Sequence, residues 1–169
     1  MLNAAKGAED SQRNSYEIAK AVKHKFEGTG FGRMIYSESH DTIPEGRQLR
    51  IIKAINPASK LPDIFAKRRS RLINAMSLIS VGVPMLMAGQ ELMETRGGTW
   101  PEPAPMPNFE DFADLTEEQK NSFAFFKDLI RLRLNEDGVS QGLKGVNTAI
   151  THIHPSRELP VLAIHRWDK

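Results

Sequence analysis

Two short polar clusters in this 169-residue chain have the residue types of a chemical site. Glu38-Ser39-His40-Asp41 directly follows the β-prone run Met34-Ile35-Tyr36-Ser37, and Gln90-Glu91 directly follows the apolar run Val83 to Met87. Carboxylates and imidazoles can move protons, and an ionised carboxylate can stabilise developing positive charge. Both clusters precede long loops, which in compact domains are disproportionately functional. Each has a bland reading beside the chemical one. Asp accepts hydrogen bonds from nearby amides, so His40-Asp41 also reads as a turn cap. Gln90-Glu91 also reads as a helix entrance or a buried bracing pair. Trp100, an isolated aromatic in a Pro-rich loop, reads as a packing plug as well as a sugar-stacking surface. His152 and His154 share one side of a strand, as some metal ligands do. With no third ligand nearby in the sequence they read as ordinary strand residues, and no metal site is assigned.

The elements that position these clusters follow from periodicity and punctuation. Tyr16, Ala19, Val22 and Phe26 recur at steps of three and four, which predicts an amphipathic helix from Asp10 to Phe26, stopped by Gly28 and Gly30. Met34 to Ser37 predicts a strand, and a loop broken by Pro44, Gly46 and Pro57 follows to about Lys60. Pro62 and Asp63 suit the first turn of a helix that runs through Ile64, Arg68, Leu72, Ala75, Met76 and Ile79 to near Gly82. Val83 to Met87 predicts a strand buried on both faces. A second loop carries Gly97, Gly98, Pro101, Pro103, Pro105 and Pro107. Thr116 and Gln119 have capping-box spacing and open a helix that carries Phe123, Phe126, Leu129, Ile130 and Arg133. Asn147 to Ile153 and Pro160 to Trp167 predict two strands joined by a turn at His154-Pro155-Ser156-Arg157.

Alternating strand and helix predicts an α/β fold with a parallel sheet, and the two closing strands predict a separate β element. Two parallel strands are too few for a covered sheet. The order therefore implies part of a larger barrel or, failing that, an oligomer that supplies the missing strands. A net charge of +2 is too small to argue for nucleic acid or a membrane surface. The basic cluster Lys67, Arg68, Arg69 and Arg71 reads as a solvated helix face. The chain has no cysteine, no apolar run long enough to span a bilayer, and a terminus, Met1 to Lys6, without the apolar core of a secretory signal. Cytoplasmic is the default expectation.

A series of segments, in order, resembles one enzyme family. Gly32 to Asp41 resembles the segment around the seventh barrel strand of α-amylase-type enzymes, which ends in a His-Asp pair. Phe65 to Ser70 and Gly82 to Glu91 are similar to the following helix and the eighth strand, with its Gly-Gln-Glu ending. Phe126 to Arg133 is similar to the last barrel helix, and Leu162 to Trp167 to an early strand of the β-sandwich domain that follows. The details look closest to bacterial glucan branching enzymes.

The resemblance implies that residues 1–138 are the carboxy-terminal part of a (β/α)8 barrel of TIM type, about its last two strands and helices. It implies that residues 139–169 begin a β-sandwich domain. It also implies an α-1,4-glucan of starch or glycogen type as substrate, the amino-terminal part of the same enzyme as partner, and no cofactor. Asp41 matches the family's transition-state-stabilising carboxylate and His40 its sugar-binding histidine, with Gln90 and Glu91 as a candidate second site. Such enzymes retain anomeric configuration through a carboxylate nucleophile and a second carboxyl acid. Those two groups belong to the fourth and fifth strands, which precede everything in this chain, so the isolated chain is expected to be inactive. Thr42 departs from the acidic residue frequent in close relatives of the branching enzymes. The alternatives are a non-catalytic glucan-binding or barrel-completing module, or an unrelated α/β protein that uses the His-Asp pair structurally.

Overall fold

The computed structural model describes residues 14–25, 32–39, 50–56, 61–95, 113–144, 150–155 and 161–167. In chain order these form α1 (Ser15–Lys23), β1 (Met34–Ile35), α2 (Ile51–Ile55), α3 (Ile64–Ile79), β2 (Val83–Pro84), a 3-10 turn (Gln90–Leu92), α4 (Glu117–Leu134), α5 (Gln141–Lys144), β3 (Ile150–Pro155) and β4 (Leu162–Trp167). The described strands make two two-stranded sheets, and no closed barrel is found among the described residues.

Local signals set the helix starts. Asn14 accepts from the amides of Tyr16 and Glu17 and caps α1, while Asp63 accepts from the Ala66 amide and caps α3. The Thr116–Gln119 capping box forms: the Thr116 hydroxyl accepts from the Gln119 amide, and the Gln119 side chain accepts from the Thr116 amide. Asn135, left-handed at φ 59°, ends α4, and its side chain accepts from the Ser140 amide at 2.7 Å.

β1 and β2 pair in parallel, Met34 with Val83 and Ile35 with Pro84. The Val83 amide donates to the Arg33 carbonyl at 2.9 Å, and the Met85 amide to the Ile35 carbonyl at 2.8 Å. The second strand differs from the doubly buried run that its composition predicts. It is regular only over Val83–Pro84, and Val83 is 40% exposed, with Met34 at 59% on the strand beside it and Tyr36 at 44% just past that strand. Among the described strands each has a single neighbour, so apolar side chains that a wider sheet would cover stay in water.

The loop predicted between Ser37 and Lys60 contains α2, whose Ile51, Ile52 and Ile55 are all buried. Ile51 and Ile55 join Ala66 and Ile73 of α3 in the apolar core. α3 buries a stripe of small and polar residues, Ala66, Ser70, Asn74 and Ser77, alongside Ile73 and Leu78. Its larger apolar residues Ile64, Phe65 and Leu72 face outward. β3 and β4 pair antiparallel from Ile150–Trp167 to Pro155–Leu162. Of the predicted turn residues, Ser156 and Arg157 lie outside the described residues. His154 and Pro155 belong to the strand, because Pro at a strand end sacrifices no interior ladder bond.

The carboxy end of α3 is closed by two arginines from distant elements. Arg133 of α4 donates to the carbonyls of Leu78, Ser80 and Gly82, and Arg166 of β4 donates to those of Ile79 and Ser80. Those of Leu78, Ile79 and Ser80 are carbonyls a helix end leaves unpaired, at the negative pole of its dipole, and that of Gly82 lies just beyond. Burial lowers the pKa of both guanidiniums, that of Arg166 to about 10 with the nearby Arg133 charge adding to the effect. Both remain charged at neutral pH.

Gly82 sits where these contacts meet β1. Its φ is +129°, and a Cβ there would lie 2.7 Å from Ile35 Cδ1 and 2.8 Å from the Arg33 carbonyl oxygen. Gly138 also has positive φ, at +73°, but a Cβ there meets nothing within 4 Å. Gly82→Ala is expected to destabilise the chain by roughly 2–4 kcal/mol, from strain plus collision. Gly138→Ala is expected to cost only about 1 kcal/mol, from strain alone. Urea denaturation of the two variants measures the difference.

Candidate functional site

Parallel pairing sets the carboxy ends of β1 and β2 side by side, and the two polar clusters begin there. A buried hydrogen-bond network joins them. The Ser37 hydroxyl donates to Asn74 Oδ1 at 2.6 Å, and Gln90 Nε2 donates to Ser37 Oγ at 2.7 Å and to Asn74 Oδ1 at 2.9 Å. Gln90 Oε1 accepts from the Met87 amide at 2.6 Å, so both ends of this side-chain amide are engaged. Asn74 is 1% exposed and Gln90 4%. In such a dry setting each bond is strong, and an unpaired partner is costly.

A second tie runs through charge. Glu38 Oε1 lies 3.0 Å from Arg50 Nη2, with both side chains almost fully buried, and Glu38 Oε2 accepts from the Ile51 amide at 3.0 Å. Arg50 also donates through both terminal nitrogens to the Ala88 carbonyl at 3.2 Å. The Glu38 carboxylate thus caps α2 from outside the helix, and Arg50 fastens this corner to the segment after β2. Burial pushes the Glu38 carboxyl up from its ordinary value. The Arg50 charge and the Ile51 amide pull it down by less. This pair is enclosed, so its role is to hold the two strand ends together rather than to meet a ligand.

Ser39, buried, is the last described residue before His40. His40, Asp41 and Thr42 lie outside the described residues, as does Trp100. Gln90 and Glu91 part company. Gln90 turns inward to the network, while Glu91 borders an open groove of about 710 Å³ floored by Leu86, Phe123, Phe126 and Ile130. One Glu91 oxygen accepts from the Gly89 amide at 3.1 Å. Lys127, Arg131 and Glu136 also line this groove, and Ser37, Gln90 and Asn74 do not.

Arg50 and Asn74 were not singled out by the sequence reading. A signal for Asn74 was present: Ala66, Ser70, Asn74 and Ser77 recur at helical spacing, a small and polar stripe that marks a close, hydrogen-bonded helix face. Arg50 had no such signal, because its partner lies twelve residues away beyond a loop. Lys67 of the basic cluster, read as solvated, pairs with Glu118 of α4. Arg71 of the same cluster lies 3.9 Å from the Met93 sulfur. No described helix is long and apolar enough to cross a membrane.

No protein-family model, curated protein or solved structure matches the chain. The site is therefore defined by its own residues.

Gln90→Leu removes the amide that satisfies Ser37, Asn74 and Met87. It is expected to cost about 2–3 kcal/mol in thermal or urea denaturation. Glu38 provides a pH test. Its pKa is raised in the folded state, so between the ordinary value of 4.5 and that raised value the native protein holds a proton the unfolded chain has lost, and this contribution to stability is lost as pH rises through that window. Glu38→Gln removes that titration. The stability of wild type relative to Glu38→Gln is expected to fall from acid to neutral pH, as urea midpoints of both proteins across that range will show.

Proposed function

We propose that this chain is the carboxy-terminal part of an α-glucan-active enzyme, of the α-amylase or 1,4-α-glucan branching type. In this reading Asp41 stabilises the transition state and His40 binds the sugar beside it. The observation that carries it is the joining of two parallel strand ends, each followed by a polar cluster, through the buried Ser37–Gln90–Asn74 network. In β/α folds the groups that meet substrate lie just past the carboxy ends of the strands. The exposed Met34, Tyr36 and Val83 support a sheet that other strands complete.

In this role an ionised Asp41 accepts hydrogen bonds from two neighbouring sugar hydroxyls. Those bonds strengthen as positive charge develops on the ring. The nucleophile and the general acid come from the amino-terminal part of the barrel, which is the partner that this reading requires. The absence of cysteine fits a reducing cytoplasmic setting.

Alone, the chain is expected to leave an α-1,4-glucan unchanged. Mixed with a separately produced amino-terminal barrel half, it is expected to restore hydrolysis or branching. Asp41→Ala should then lower the restored rate by about a thousandfold. Full activity of the Asp41→Ala pair sinks the assignment of Asp41. Calorimetric binding of maltooligosaccharide that depends on Asp41, without restored catalysis, points instead to a non-catalytic glucan-binding module.

A further inference from the structure

The hairpin of β3 and β4 supplies what the linear sequence lacks at His152 and His154. His152 is the direct cross-strand partner of His165. Side chains of directly opposed residues leave the sheet on the same face, and residues two apart on a strand share a face. His152, His154 and His165 therefore stand together on one side of the hairpin. All three are exposed. The opposite face carries Ile153, Ile164 and Arg166, and Arg166 reaches in to the end of α3. The histidine face thus looks outward from a hairpin that is anchored from behind.

We propose that this face is a binding site for a divalent transition-metal ion of the zinc class, held by His152, His154 and His165. Three neutral imidazoles with an open fourth position are a sufficient ligand set for such an ion. The backbone distances suit it. Opposed Cα atoms lie roughly 4.5–5.5 Å apart across an antiparallel pair. Residues two apart lie about 6.8 Å apart along a strand. An imidazole is long enough to bring a nitrogen from each of these three points to about 2.0–2.1 Å from one ion above them.

As the side chains stand, no three such groups among the described residues are arranged to hold an ion. The rings of His152 and His154 instead lie against each other, with centroids 4.1 Å apart and planes tilted by 57°, and His165 leans on Trp167 at 4.5 Å. Ligation would exchange these ring contacts for metal bonds through rotation of the exposed side chains. Ligand chemistry supports the choice of ion. Imidazole selects zinc, nickel or copper over calcium and magnesium, which take oxygen ligands.

The test is calorimetric titration of the full chain with Zn2+, paired with imidazole resonances in NMR. One ion per chain is expected, with the signals of His152, His154 and His165 moving together while those of His24 and His40 serve as internal controls. His165→Ala and His152→Ala are each expected to weaken binding by at least about tenfold, since loss of a ligand should cost no less than loss of its supporting contact. Ca2+ should give no comparable heat. Melting in the presence of a chelator checks that each variant keeps its fold, and His165→Gln serves in its place if the alanine variant does not. Unchanged affinity in His165→Ala overturns the proposal, because a site without the cross-strand ligand is not this site. Perturbation confined to His24 and His40, or unsaturable binding of several ions, overturns it as well.

Discussion

The side-chain amide of Gln90 is the point on which the described structure turns. It lies in the 3-10 turn that follows β2 and bonds Ser37, just past β1, with Asn74 of α3 receiving from both. A two-residue parallel pairing has few ladder bonds of its own, and parallel pairs are slightly weaker per residue than antiparallel ones. The buried network makes up for that with bonds that form only in one register. A slip of either strand would leave polar groups unpaired in a dry setting, so the network selects the register as well as strengthening it.

Charge repeats the pattern at both ends of this assembly. At one end Glu38 and Arg50 join the start of α2 to the Ala88 carbonyl. At the other, Arg133 and Arg166 gather the carbonyls that end α3 and tie α4 and the β3–β4 hairpin to them. Buried ions are expensive, and truncating one member of such a set costs more than the set contributes as a whole. Their value here is positional. Each of these charged side chains bonds backbone groups of a distant segment, beside the apolar cluster of Ile51, Ile55, Ala66 and Ile73.

The proposed glucan chemistry and the rigid scaffold fit each other in one respect. A carboxylate that stabilises a short-lived cation acts best when it does not reorganise during the reaction. The residues directly before His40 are held in place, Ser37 by Asn74 and Gln90, Glu38 by Arg50, and Ser39 by burial. The histidine face of the hairpin is a different kind of surface. Its histidines are exposed and lie in ring contact, His152 with His154 and His165 with Trp167, and these contacts can give way to an ion by side-chain rotation.

Local structure was legible in the residues. The Thr116–Gln119 capping box and the alternation of strand and helix each act over a few positions, where spacing decides the outcome; Asp63 serves α3 as its cap rather than in its first turn, and Pro62 precedes that cap. The parallel neighbourhood of β1 and β2 and the hairpin of β3 and β4 followed from the same order of elements. The short helix α2 was not legible, because the group that caps it is Glu38, thirteen residues earlier. The tie between the two polar clusters was hidden for the same reason: Gln90 meets Ser37 across fifty-three residues. His165 became a companion of His152 only through cross-strand register. Sequence alone determined which residues could cap, turn or carry charge. The tertiary structure decided which of them meet, since a buried polar group takes its partner from whichever element lies within about 3 Å, and that distance is set by packing, not by position along the chain.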